Sequence, residues 1–305
     1  MGVGVVQQSF SGHETFPFRY PWLKKGFDTV RQDGDAFLRD DATTNLGVGK
    51  NMVRSIRHWC LAAGMIEESP QGGSLRPTKL GTVLLDDQGL DPYLEDPATL
   101  WLLHWKIASN RNRASTWFWA FSHFNEPEFT RETLTNALFR WTQTLGGKQV
   151  AESSLRRDVE VFLRTYVHSS QSKNDFPEDT LDCPLVELGL IVESGDRRSF
   201  HFRREAQRNL PDPMLFFAVL TFWDTFAPNI GTLAIHDIAR LPGSPGRLFK
   251  IDESSLVERL EGIEKQTSGA FSYGETAGLR QLYRRERVEP SDILADAYKI
   301  RGHRR

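Results

Sequence analysis

The sequence contains almost no cysteine. Its two thiols, Cys60 and Cys183, stand far apart and outside any CxxC or Cys/His spacing, which speaks against a disulfide framework and a structural zinc site. Long apolar runs are also missing: no stretch reaches the roughly 18 residues of a membrane span. The opening MGVGVVQQSF lacks the basic region and cleavage signal of a secretory leader, and Val6 stands where a myristoylation site needs Ser or Thr. These absences predict a cytoplasmic chain with two reduced, buried thiols and no membrane partner. Positive charge is not in surplus either. Lys and Arg number 38 against 40 Asp and Glu, so any nucleic-acid contact must come from local clustering. HExxH, GxSxG and a PD-(D/E)xK-type ExK are absent, and Asn51 after Lys50 breaks the phosphate-loop pattern GxxxxGK[ST].

What is present is a globular balance of 39% hydrophobic and 26% charged residues, which argues against wholesale disorder. At 305 residues the chain is long enough for two or three compact units. The pattern predicts a mostly α (α+β) fold, with tandem winged-helix-like units around a helical, aromatic-rich middle. The expected segments are 1–92, 93–150, 151–210 and 211–305.

In the first segment, Val53, Ile56, Cys60 and Ala63 recur at helical spacing and Gly64 stops the helix. Leu46-Gly47-Val48-Gly49 reads as the turn joining a short helix to this longer one. Met65–Glu68 and Leu75-Arg76 read as two strands around a Ser-Pro-Gln-Gly-Gly turn, and Thr78 as the cap of a further helix. Helix, turn, helix and two-stranded wing is the winged-helix order.

The middle segment carries Trp101, Trp105, Trp117, Phe118, Trp119, Phe121, Phe124, Phe129, Phe139 and Trp141. So many rings suit either a hydrophobic core or a base-stacking platform. Beyond it, Ser153 is the expected cap of SLRRDVEVFLRTYV, residues 168–182 read as a linker, and strands over 191–193 and 199–203 form a second arginine-rich wing. In the last segment Asp212-Pro213 opens a helix and Leu233–Arg240 reads as another. PGSPGR reads as a long turn, Ser254 or Ser255 as a cap, and SGAFSYGETAGLRQLYRR as a third hairpin.

Within this frame the helix from Lys50 to Ala63 is the strongest local nucleic-acid signal. With its apolar stripe inward, Lys50, Asn51, Arg54, Ser55, Arg57 and His58 fall on the outer face. Arg and Lys reach phosphate or guanine, Asn reads adenine, and Ser supports backbone contacts. An ordinary solvated basic helix used for protein contacts has the same composition. Arg76, Arg197, Arg198 and Arg203 on the two hairpins are further phosphate-binding candidates. So is the C-terminal run Arg280, Arg284, Arg285, Arg287, Lys299, Arg301, Arg304 and Arg305. His13-Glu14 is the most suggestive catalytic pair, able in principle to hold a metal or move a proton. The alternative is that the two residues pin the N-terminal segment by hydrogen bonds.

SGHETFPFRYPWLKKGFDTV followed by LGVGKNMVRSIRHWCLAAGMIE resembles a bacterial family found in phosphorothioation gene clusters, which includes the B subunit of the Ssp-type single-strand system. The resemblance implies double-stranded DNA as substrate. It also implies partners: a cysteine desulfurase, an ATP-pyrophosphatase-like sulfur transferase and an ATPase, which together place sulfur on one DNA strand in phage defence. In that family the B subunit is associated with DNA nicking. Cleaving a phosphodiester calls for an activated nucleophile and stabilisation of developing negative charge, usually from a divalent metal such as Mg2+. No organic cofactor is expected. His13, Glu14, Asp28, Asp33 and Asp35 are the imidazole and acidic groups nearest in sequence to the proposed recognition helix. A non-enzymatic DNA-binding adaptor or regulator, and winged helices that serve as protein-interaction modules, remain alternatives on the residues alone.

Overall fold

Helix α1 (Tyr20–Gln32) starts where Arg19 is extended and Pro21 occupies the first turn, a position that needs no amide proton. The computed structural model describes residues 8–145, 149–168, 183–195 and 198–302, with only the backbone of 299–302. The chain is α+β and divides into two units. The first comprises Met1–Glu95, Lys106–Ala120 and Phe124–Phe202; the second comprises Asp96–Trp105, Phe121–His123 and Arg203–Arg305.

In the first unit α1 buries Trp22, Leu23, Phe27 and Val30. Its Gly26 is the contact point with a later helix: a methyl there would fall 2.4 Å from Cys60 Sγ. Helix α2 (Ala42–Leu46) ends on Gly47, whose φ of 61° is the left-handed stop that glycine adopts without strain. Helix α3 (Lys50–Ala62) buries Val53, Ile56, Trp59 and Cys60. Strands β1 (Ile66–Glu68) and β2 (Leu75–Pro77) pair antiparallel, with Glu67 opposite Arg76. Helix α4 (Lys79–Leu85) is capped by Thr78, whose side chain accepts from the Gly81 amide, an interaction typically worth about 1 kcal/mol. This order of elements and their bounds follow the expectation closely.

Helix α5 (Pro97–Ala108), helix α6 (Ser115–Ser122), strand β3 (Phe129–Thr130) and helix α7 (Arg131–Thr144) come next. Helix α8 (Glu152–Tyr166) begins after Ala151, so Ser153 lies inside it and is not its cap. Strands β4 (Ile191–Glu193) and β5 (Ser199–Phe202) form the expected hairpin, and β3 adds an unforeseen third strand in the order β3-β5-β4. Of the expected linker at 168–182 all but His168 lies outside the described residues, as does the hairpin tip at Asp196-Arg197.

The aromatic residues form core. In the first unit Trp117 packs on Trp59 (5.2 Å between ring centres) and Phe162 (5.8 Å), and Phe129 packs on Phe124 (5.2 Å) and Phe202 (5.3 Å). In the second unit Trp101 and Trp105 pack on Phe249 at 5.4 and 5.5 Å. Apart from the half-buried Phe139 and Trp141, the rings expected to serve either core or stacking are buried. That burial leaves them no face for a nucleobase.

The second unit is organised by helix α9 (Asp212–Phe226), apolar nearly all round and buried from Pro213 to Leu220. Residues Thr232–Ala234 form strand β6, and only Ile235–Arg240 are helical (α10). The expected helix over Leu233–Arg240 is thus corrected at its start, because Leu233 pairs with Leu282 of a distant strand. PGSPGR is not all turn: Pro245–Leu248 make a short helix, α11. Helix α12 (Glu253–Glu261) is capped by Asp252. Ser254 and Ser255 are instead the donors, giving their hydroxyls to the Asp252 carboxylate. Helix α13 (Ile263–Gln266) leads into the expected hairpin of β7 (Phe271–Thr276) and β8 (Leu279–Arg284), sheet order β6-β8-β7. Helix α14 (Pro290–Gly302) closes the chain against α9.

Candidate nucleic-acid interface

The segment SGHETF, residues 11–16, lies as a strap along one side of α3. Each of its residues has an identifiable contact. A methyl at Gly12 would sit 2.5 Å from His58 Nδ1, so only glycine allows this approach. His13 stacks on Trp59, with 6.2 Å between ring centres and 19° between planes. The Glu14 carboxylate reaches Arg54 at 3.4 Å, and the Phe16 carbonyl accepts from the Trp59 indole at 2.9 Å. Ser11, Glu14 and Thr15 all have positive φ, a conformation that costs of order 1 kcal/mol each in residues other than glycine. The strap holds that shape because its far side is anchored.

The anchor is Asp158 of α8, 1% exposed. One of its oxygens accepts from the Ser11 amide at 2.6 Å, the Ser11 hydroxyl at 3.3 Å and His13 Nε2 at 3.0 Å. The other accepts from Thr116 of α6 at 2.8 Å. The Thr15 amide donates to His13 Nδ1 at 3.2 Å, which places the ring proton on Nε2, facing Asp158. Both ring nitrogens of His13 are therefore engaged, the pinning geometry that was one of the two expectations for this residue.

The strap also accounts for the His58 half of a correction on α3. Ser55 and His58 were expected on the outer face, yet Ser55 is fully buried and His58 is 9% exposed. Gly12 and His13 cover His58, and the buried imidazole is pushed down to a pKa of about 3 by desolvation first, then by His13, Arg113 and Arg57. The open face is narrower than expected. Lys50, Asn51 and Arg54 are exposed and Arg57 is half-buried. Among the described residues, Lys50 and Asn51 make no side-chain hydrogen bond or ion pair. Arg57 lies 3.8 Å from Glu68 on β1, and that carboxylate also takes Arg113 at 2.7 Å.

The other candidates are scattered. Arg76 is exposed on β2 and pairs with Glu67 at 2.7 Å. Arg197 lies outside the described residues; Arg198 is exposed beside it. Arg203 follows β5, pairs with Glu205 at 3.2 Å and belongs to the second unit. In that unit Arg280, Arg284, Arg285 and Arg287 lie 3.1, 2.7, 3.1 and 3.8 Å from Glu275, Asp224, Glu264 and Glu289. Arg284 also sits over Trp223, its guanidinium carbon 4.6 Å from the ring centre. The side chains of Lys299, Arg301, Arg304 and Arg305 are outside the described residues.

The acids near α3 in sequence do not converge with His13. Asp28 pairs with Lys24 at 2.7 Å and Asp33 with Arg39 at 2.9 Å. Among the described residues no three His, Cys, Asp or Glu side chains are grouped to hold a metal. These residues do not fit a protein-held divalent ion, and no chemical step is derived through one. Both cysteines are buried thiols outside any disulfide, and burial pushes the Cys60 thiol far above its ordinary pKa. Among the described residues no helix is long and apolar enough to cross a membrane.

Sequence reasoning missed Asp158, Thr116, Glu68 and Arg113. Asp158 had a signal: it falls on the apolar face that Leu155, Val159 and Phe162 define, and a charge there demands buried partners. Arg113 had none, because only the folded chain brings its turn to α3.

Fold and site define an α+β protein in which the N-terminal segment straps helix α3 to helices α6 and α8. The family model described as "Protein of unknown function (DUF4007)" matches residues 10–298, and the chain belongs to that family. It is similar over nearly its whole length to two crystal structures of SspB. The magnesium ion-bound form is 32% identical with a TM-score of 0.85, and the match covers 96% of this chain and 87% of that one. A second SspB crystal structure gives the same identity and coverage with a TM-score of 0.84. No curated protein matches the chain.

Proposed function

We propose that this chain is the DNA-binding subunit of a DNA phosphorothioate modification and phage-defence system. Its first unit acts as a winged-helix module that engages double-stranded DNA through the open face of α3. The observation that carries this is the unpaired, exposed start of that helix. Lys50 and Asn51 project from its first turn, with Arg54 and Arg57 one and two turns on, the geometry of a recognition helix entered N-terminus first. The likeness to SspB supplies the setting. In the cytoplasm the chain would work with a cysteine desulfurase, an ATP-pyrophosphatase-like subunit and an ATPase. It would nick one strand so that sulfur can enter. One of the two SspB structures is magnesium ion-bound, but the described residues of this chain offer no group to hold such an ion, so the nicking reading does not rest on one.

A second reading, DNA binding without cleavage, is favoured by one observation: His13 spends both ring nitrogens on the strap. The experiment incubates purified protein with supercoiled plasmid in magnesium, manganese or EDTA, and follows both retardation and conversion to open circle. Metal-dependent open circle supports the nickase. Retardation without open circle under every condition supports the adaptor, and no retardation at low salt removes both.

A further inference from the structure

Beside the open face of α3, two guanidinium groups converge on a single carboxylate oxygen. Arg57 Nη2 lies 3.8 Å and Arg113 Nη2 2.7 Å from Glu68 Oε1. The backbone at Arg113 is held in place independently of that contact. Its amide donates to Asn110 Oδ1 at 3.1 Å, and Asn110 Nδ2 donates to the Ala62 carbonyl at the end of α3 at 3.0 Å. The turn ahead of α6 is thus tied to the helix it faces. Of the three side chains the acid is the most exposed, at 57% against 35% for Arg57 and 37% for Arg113. Arg57 also retains a buried Nε with no hydrogen-bond partner among the described residues.

Charge is not balanced locally: two arginines share one carboxylate. Both arginines help to hold the neighbouring His58 at its depressed pKa of about 3, after burial and His13, so their positive field reaches it despite Glu68. The Arg113 hydrogen bond in turn holds the Glu68 carboxyl below its ordinary range. A pair of forked donors around one oxygen is the arrangement that receives phosphate.

We propose that Arg57 and Arg113 form a clamp for one backbone phosphodiester of bound DNA, and that Glu68 holds the phosphate's place in the free protein. This rests on the DNA-binding reading of α3. The strand-end position of Glu68 lets its carboxylate turn out to water as the phosphate enters, exchanging one anion for another with no covalent step. The clamp contributes affinity and register on the duplex and carries no base sequence.

The test measures affinity of a labelled duplex of mixed sequence against sodium chloride concentration. It compares the intact chain with Glu68→Gln, Arg113→Gln and Arg54→Ala, with thermal unfolding of each as the folding check. The expected result for Arg113→Gln is roughly tenfold weaker binding and a salt slope shallower by about 0.9, the loss of one phosphate contact. Glu68→Gln should bind more tightly, by about threefold or more, because the competing anion is gone. Because Glu68 is an exposed hairpin residue, this second variant keeps the test decisive even if Arg113→Gln fails to fold. If Arg54→Ala weakens binding while Arg113→Gln and Glu68→Gln both match the unaltered chain, the clamp is overturned and DNA binding by α3 stands. If the unaltered chain binds no duplex at low salt, both fall.

Discussion

His13 and Asp158, 145 residues apart, meet in a buried hydrogen bond of 3.0 Å that closes the N-terminal strap over α3. Asp158 accepts four hydrogen bonds there. Replacing it with alanine leaves the Ser11 amide, His13 Nε2 and Thr116 hydroxyl without their acceptor in a site closed to water. Asp158→Ala should destabilise the chain by about 3–5 kcal/mol, each stranded donor costing about 1–3. Urea unfolding measures this; a loss under about 1 kcal/mol would mean that the strap is not held as described.

Gly12 tests the other side of the strap. A methyl at this position meets the His58 ring at 2.5 and 2.8 Å, and that ring is confined by Trp59 and His13. The ring has nowhere to yield, so Gly12→Ala should cost about 1–3 kcal/mol, the usual range for overpacking. The same change should expose the strap to limited proteolysis. An unchanged unfolding midpoint and digestion pattern would show that the approach is looser than the distances imply.

What could be read from the sequence was local. The α2–α3 turn, the β1–β2 hairpin and the Thr78 cap are each specified by neighbouring residues: Gly47, the Pro70–Gly73 turn, and a threonine ahead of an apolar run. What was missed depends on partners far along the chain. Phe129-Thr130 is a strand only because Phe200-Ser199 lies beside it, and Leu233 is strand, not helix, because β8 pairs with it. Periodicity located the buried stripe of α3 correctly but could not show that a second surface, Ser55 and His58, would be covered by residues from elsewhere. For the candidate site, the exposed basic positions were legible. The Asp158 anchor and the Arg113–Glu68 contact were not.

Lys50 and Arg54 decide whether α3 is an interface at all. Arg54 pairs with Glu14 at 3.4 Å while 56% of its side chain stays accessible, so that ion pair costs little to break. Arg54→Glu combined with Lys50→Ala should abolish plasmid retardation at about 50 mM salt, where phosphate contacts contribute most. It should leave the thermal midpoint within a few degrees, since neither side chain is packed. Retardation equal to that of the unaltered chain would assign α3 to protein contacts.

Each unit buries one histidine with a strongly lowered pKa: His58 in the first and His104 in the second, both about 3. Burial is the main cause for each, with Lys250 adding repulsion at His104 against a favourable bond to the Leu248 carbonyl. The unfolded chain binds a proton at each imidazole below about pH 6.5, whereas the folded chain does so only near 3. Stability therefore falls as pH drops through that window, by about 1.4 kcal/mol per pH unit per histidine. At pH 5 the two together should remove about 4 kcal/mol relative to pH 7.5. His104→Gln, which can keep a donor to the Leu248 carbonyl, should remove about half of that slope in urea unfolding followed from pH 7.5 to 5. A flat profile in the unaltered chain would show that these imidazoles are hydrated in the folded protein.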